Sequence, residues 1–257
     1  MTVSPSVRVP DELWRTWRAR WDRFQSAYVP QREQQWHLMG EYVSSYWPRP
    51  GLRVLDLASG PGAMGVALLA QRPDAEVVCL DVDPWLLEMG RRTMACEPRV
   101  TWVAGDLRDR DWPAAIPAGG FHAVVTGAVL HWLERDELAS IYRGVHVLLV
   151  DGGMLLCSDV LPTGTQRIGN AARGMLQRQL ADQAPAGGES WHSFWSGAEA
   201  EPAFRELLEL RAQRLGPRRP RVFPPIDAHL ELLAEAGFRD LGEIWRLHEY
   251  AILLAIR

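Results

Sequence analysis

The chain has 257 residues, 47% hydrophobic and 23% charged, an ordinary globular balance with room for one α/β domain and an elaboration. Its formal net charge of -4 offers no general attraction to nucleic acid or to an anionic membrane. All 28 basic residues are arginine, which excludes chemistries that need a lysine: Schiff-base and pyridoxal enzymes, the lysine-dependent phosphate loop, and the protein kinases.

Residues 11–47 read as two helices. In the first, Trp14, Trp17, Trp21 and Phe24 fall at helical spacing on one apolar stripe. Pro30 breaks the pattern, and a second run carrying Trp36, Met39 and Tyr42 ends at "YWPRPG". From 51 to 160 apolar runs alternate with helical segments: "LRVLDL", 63–71, "EVVCLD", 84–95, "RVTWVAGD", "FHAVVTG", 134–149 and "GMLLCSD". Such unbroken Val- and Leu-rich runs are strands covered on both faces, and the alternation predicts a doubly wound, mostly parallel sheet. Residues 161–225 interrupt the rhythm with helical segments, the "DQAPAGGES" loop, "WHSFW" and "GPRRPRVFPP", and read as an insertion capping the sheet. A helix at 226–236 and two closely spaced apolar strands then predict a terminal antiparallel pair. The expected organisation is an N-terminal helical lid (1–50), a Rossmann-like core (51–160), a substrate-capping insertion (161–225) and a sheet-completing end (226–257). Cys79, Cys96 and Cys157 are too dispersed for a disulfide framework or a metal site. With no apolar stretch of 18 residues and no charged-then-apolar leader, a soluble, cytoplasmic chain with no membrane partner is expected.

"LDLASGPGAMG" places Gly60, Gly62 and Gly65 in the spacing G-x-G-x-x-G at a strand end, which taken literally is a dinucleotide loop. Asp56 opposes that reading, because a carboxylate beside a pyrophosphate is repelled by it. Asp81 ends the second strand, where a carboxylate can take both ribose hydroxyls, and Asp106 ends the third, where it can meet an exocyclic amine. Three acidic strand ends around one pocket suit a cationic ligand.

In order and spacing, "VLDLASGPG", "VVCLDVDPWLLEMG", "VAGDL", "FHAVVTGAVLHWL" and "LLVDGGMLLCSD" resemble the motifs of the class I S-adenosylmethionine-dependent methyltransferases over residues 50–160. The terminal "AGF…HEYAILLAIR" is similar to the family's closing strands. The resemblance implies S-adenosylmethionine as cofactor, Gly60 and Gly62 along its methionine part, Asp81 on the ribose, Val82 against the adenine, and Asp106 with Leu107 at the adenine edge. It also implies that Asp56 orders the loop near the ligand's amino end, that Ala58 and, in the fourth motif, Thr126 belong to the cofactor-binding residues, and that Gly65 is an ordinary helix residue. Ala58 stands where the family commonly has glycine. Asp83, ahead of Pro84, reads as a helix cap.

His131 follows the fourth strand, where the resemblance puts the acceptor. It is either a base for a protonated nucleophile or a pocket wall. "LHWL" resembles small-molecule enzymes of the trans-aconitate type, and the fourth motif carries neither the Pro-Pro-aromatic stretch nor the Pro-Cys nucleophile of enzymes acting on nucleic-acid bases. The expected partner is a small molecule, not nucleic acid, and Arg218, Arg219 and Arg221 read as solvated surface. Trp132, Trp191, His192, Phe194 and Trp195 are candidates for an apolar substrate wall, with packing of the insertion as the competing account for the 191–195 aromatics. Tyr28 and Arg32 can close over the donor and pair with its carboxylate. The reading is methyl transfer to an oxygen or nitrogen of a small, partly apolar or aromatic metabolite. A dinucleotide-dependent oxidoreductase and a non-catalytic binding protein on the same fold are the alternatives.

Overall fold

The computed structural model describes residues 9–183 and 189–257; residues 184–188 of the "DQAPAGGES" loop, and the first eight of the 1–50 segment, lie outside the described residues. The chain runs α1 (Asp11–Ser26), α2 (Arg32–Tyr46), β1 (Arg53–Leu57), α3 (Ala63–Gln71), β2 (Glu76–Asp81), α4 (Pro84–Thr93), β3 (Val100–Ala104), β4 (Phe121–Gly127), α5 (Arg135–Leu148) and β5 (Leu149–Val160). It continues with α6 (Gln166–Gln183), α7 (Trp191–Glu199), α8 (Arg205–Leu215), α9 (Ile226–Glu235), β6 (Asp240–Leu247) and β7 (Tyr250–Ile256).

The strands form one seven-stranded sheet in the order β3-β2-β1-β4-β5-β7-β6. The first five pair in parallel, while β7 runs antiparallel to both β5 and β6. Side chains alternate across a strand, so a strand apolar at every position must bury both faces. That is the case here: Leu55, Val78, Leu80, Val124 and Leu253 enter one core, and Val54, Val77, Cys79, Val125 and Ile252 enter the other. Helices α5 and α9 cover the first face, and α2 and α3 the second. Tyr142 on α5 meets His229 on α9 at 2.6 Å, and burial pushes that imidazole down to about 4, which keeps it neutral within the core.

Local signals set the helix starts that aim loops at the strand ends. Asp83 caps α4: its Oδ1 accepts the N–H groups of Trp85 (3.0 Å) and Leu86 (3.2 Å), and Pro84 occupies the first turn. Glu134 and Glu137 form a reciprocal capping box on α5.

The stripe of α1 goes into a third core with Trp85 of α4, Phe194 of α7 and Phe204. Trp17 meets Phe194 edge-on at 5.5 Å, and Phe24 stacks on the same ring at 4.8 Å. The insertion is therefore joined to the N-terminal helix through Phe194, which is fully buried and packs the insertion instead of walling a pocket. After α8 the segment 216–225 returns over the sheet, where Val222 and Phe223 donate to the His131 carbonyl at 2.8 and 3.2 Å.

Candidate active site

The order of strands reverses between β1 and β4, and a crevice at the carboxyl ends of strands opens at such a switch point. A cavity of about 690 Å³ lies there, lined by the loops after β1 to β4, by the end of β5, by α1, α2 and the turn between them, by α7 and α8, and by the returning segment. Both loops flanking the switch begin with an alanine in left-handed backbone, Ala58 (φ 52°) and Ala128 (φ 57°). That region favours glycine, at a cost to alanine of about 1–2 kcal/mol. Both alanines line the cavity.

On the β1–β3 side the wall is acidic. Asp56 is buried under the glycine loop, where its Oδ2 accepts the Gly65 N–H at 3.0 Å. Burial pushes its carboxyl up to about 7, against that hydrogen bond and with help from the Asp81 charge. Asp81 accepts the Gly60 N–H on Oδ2 (2.7 Å) and the Asp83 N–H on Oδ1 (2.8 Å), and burial beside Asp83 raises it to about 6. Each oxygen of Asp81 keeps a lone pair for a ligand hydroxyl. Asp106 lines the same wall, with its carboxylate held by Arg108 at 2.9 Å (Nε to Oδ1) and 2.5 Å (Nη2 to Oδ2). Val82, Leu107 and Gly60 complete this side.

Across the cavity, His131 presents a different chemistry. Its Nδ1 lies 2.6 Å from Oδ1 of Asp159, a fully buried carboxylate on β5. Asp159 also accepts N–H groups from Val129 and Leu130 on Oδ2 and from Val160 on Oδ1. Burial alone raises this carboxyl; the imidazole and the amides outweigh it and leave it below its ordinary value, hence ionised. An ionised acceptor at Nδ1 fixes the proton there. Nε2 makes no hydrogen bond among the described residues, and the ring lines the cavity. Phe223 stacks on the imidazole at 5.5 Å and Trp132 stands beside it at 5.4 Å.

Other residues singled out by the sequence scatter around this pocket. Tyr28 and Arg32 line it: the Tyr28 hydroxyl accepts the Trp191 N–H at 2.9 Å, and Arg32 lies over the Trp36 ring at 4.1 Å, only 3.5 Å from Asp22. Burial pulls the Arg32 guanidinium down to about 10 despite Asp22. Trp191 is in the wall, and so is Trp195, but Trp195 sits under Arg211 (3.7 Å), which binds Asp83 at 2.5 Å, so it belongs to the acidic side.

Four expectations need correction. Gly62 is off the wall: it turns the loop at φ 75°, and a Cβ there would come within 2.6 Å of Trp102. Thr126 is buried and donates to the Leu57 carbonyl at 2.9 Å, tying β4 to β1 behind the cavity. His192 is an exposed residue of α7 that does not reach the lining. Arg218, Arg219 and Arg221 are in the wall and not merely on solvated surface, because the 216–225 segment crosses the mouth.

Two roles escaped the sequence reading. Asp159 stands one residue from the end of β5, as Asp56 does from the end of β1, and that parallel was the available signal. Gly65, read as an ordinary helix residue, supplies the amide that holds Asp56, and a Cβ there would press on Val77 at 2.9 Å.

Comparison with known proteins agrees with this geometry. Residues 54–153 match a family model described as a methyltransferase domain. A trans-aconitate 2-methyltransferase of Methylobacterium radiotolerans is 30% identical over 194 residues, which cover 75% of this chain and 59% of that protein. A demethylmenaquinone methyltransferase of Symbiobacterium thermophilum is 30% identical over 134 residues, 48% of each chain. The chain thus spans about half the length of these curated relatives. A crystal structure of a putative O-methyltransferase from Nostoc punctiforme shares the fold at 16% identity, with a TM-score of 0.57 over 91% of this chain and 60% of that one. Residues 54–153 thus match a methyltransferase domain, on a seven-stranded sheet whose fold is shared with S-adenosylmethionine-dependent methyltransferases of known structure.

Proposed function

We propose that the protein transfers a methyl group from S-adenosylmethionine to an oxygen or nitrogen atom of a small, partly apolar or aromatic metabolite by in-line displacement. The observation that carries this reading is that an acidic cradle and a carboxylate-held histidine face each other across one cavity. The residues fit the donor: Asp56 and Asp81 offer negative charge to an ammonium and a sulfonium, Asp81 keeps lone pairs for ribose hydroxyls, and Arg32 is a weakly paired cation for a carboxylate. When bound, S-adenosylmethionine supplies an electrophilic methyl group on sulfur.

The chain's own contribution is alignment and proton transfer. A displacement of this kind gains most from holding donor and acceptor in line. Trp132 and Phe223 orient an apolar or aromatic acceptor beside His131. As the new bond forms, Nε2 of His131 takes the proton from the attacking hydroxyl or amine, and Asp159 stabilises the resulting imidazolium through Nδ1. The tryptophan-rich contact between α1 and α7 keeps water from the acidic side.

Calorimetry with S-adenosylhomocysteine and with NADH tests the reading. Binding of S-adenosylhomocysteine and not of NADH is expected; the reverse would make the G-x-G-x-x-G loop a dinucleotide site and overturn the proposal.

A further inference from the structure

Arg108, Arg211, Arg218, Arg219 and Arg221 line the cavity between the acidic wall and the mouth, and three of these five are paired with carboxylates. Arg108 is held by Asp106, Arg219 by Glu137 at 2.7 Å, and Arg211 by Asp83 at 2.5 Å. Arg218 and Arg221 differ. Neither makes an ion pair or a hydrogen bond among the described residues. Their guanidinium carbons lie 5.7 and 4.9 Å from the Trp132 ring, and Arg218 is also 5.5 Å from Trp191.

Asp159 spends its hydrogen bonds on His131 and three backbone amides and forms none with either arginine, so its charge favours the Arg221 cation only at a distance. Two like charges gathered over one indole repel each other. Burial and the neighbouring Arg218 together lower the Arg221 guanidinium below its ordinary value. The indole face gives back only part of this, since cation–π contacts at exposed positions are weak. The segment is nevertheless pinned in place by the two amides that bind the His131 carbonyl. Two guanidinium groups without a hydrogen-bonded carboxylate, fixed beside the same indole, present a fork geometry suited to an anion.

We propose that the methyl acceptor carries an anionic group, a carboxylate or a phosphate, bound between Arg218 and Arg221 while its apolar body lies on Trp132. This rests on the methyl-transfer reading only in calling the ligand an acceptor. It sets the polarity of the cavity: cationic donor on the aspartate side, anionic acceptor on the arginine side.

The test uses full-length protein saturated with S-adenosylhomocysteine and titrates matched probes, 3-phenylpropionate, 4-hydroxycinnamate and phenyl phosphate, against the primary amides of the two acids and against phenol. Tryptophan fluorescence reads binding. At least one anion should bind tenfold or more tightly than its neutral partner. An acid and phenyl phosphate in separate titrations distinguish the two sources of charge. In the double variant Arg218→Gln/Arg221→Gln the preference should vanish while S-adenosylhomocysteine affinity stays within twofold. If no anion outbinds its neutral partner, or the preference survives in the double variant, the inference is wrong. Failure of S-adenosylhomocysteine to bind the wild-type protein would instead strike the methyl-transfer reading itself.

Discussion

The two walls of the cavity are built by different rules. On the β1–β3 side each functional carboxylate stands at the end of its own strand and is held by the next few residues or by the neighbouring loop: Asp81 by Gly60 and Asp83, Asp106 by Arg108. On the β4–β5 side the working group is assembled from afar, with His131 held by Asp159 and covered by a segment some ninety residues further along the chain. A locally built wall is stable and general; a composite wall can change its ligand by changing one crossing segment. On the proposed reading, donor binding belongs to one side and acceptor choice to the other, a division that substitution can break.

The largest effect is expected at His131. His131→Ala should lower turnover by about 10² to 10⁴ and leave S-adenosylhomocysteine affinity nearly intact, measured by methyl-transfer kinetics and calorimetry. A loss under tenfold would mean that the ring only shapes the pocket. Asp159→Asn keeps the shape but removes the charge that fixes Nδ1–H, so turnover should fall while donor affinity is unchanged in the same kinetics and calorimetry.

Asp81→Ala should do the opposite. Donor affinity should fall by about 1.5 to 3 kcal/mol through lost charge-assisted hydrogen bonds, in a protein that still folds. An unchanged calorimetric titration would remove Asp81 from the donor site.

Between these, Gly62→Ala tests the turn that aims the loop. Its left-handed φ and the 2.6 Å approach to Trp102 should lower thermal stability by about 1 to 3 kcal/mol. Ala58→Gly relieves the same kind of strain and should be neutral or stabilising in the same melting experiment.

A separate effect, read against pH and not by truncating a contact, comes from the two buried carboxyls. Folding raises the Asp56 carboxyl from 3.8 to about 7 and Asp81 from 3.8 to about 6, so the folded chain binds these protons more tightly than the unfolded one. Their contribution to stability is therefore full below about pH 4 and is lost as pH rises to about 7. In Asp56→Asn that decline should flatten, while the amide oxygen still accepts from Gly65. Donor binding favours the ionised carboxylates, so calorimetry near pH 6.5 in buffers of different ionisation enthalpy should show proton release. No release would mean that these carboxyls do not face the bound cation.

How much was legible follows the same division. The parallel sheet and its antiparallel end were readable because each strand carries its own apolar run and connecting helices carry their own start signals, such as Asp83 before Pro84; the strand order was not. That Asp56, Asp81 and Asp106 share one wall was readable because each sits at or close to the end of a neighbouring strand. Reading failed where contacts are distant. Arg218 and Arg221 look like surface until Val222 and Phe223 bind the His131 carbonyl, and no local pattern encodes that return. The 191–195 aromatics divide for the same reason: Phe194 is claimed by Trp17 and Phe24 of α1, Trp195 by Arg211, and only Trp191 stays near the arginines. Thr126 misled because a motif position says nothing about which side of a strand end faces the ligand.

The central claim, that one cavity aligns a donor from its acidic wall with an acceptor at His131, is tested most directly by a crystal structure with S-adenosylhomocysteine bound. The ribose hydroxyls should lie on Asp81, and the sulfur should face open space bounded by His131 Nε2, Trp132 and Arg221. A sulfur turned away from His131, or a ribose that does not touch Asp81, would contradict the account.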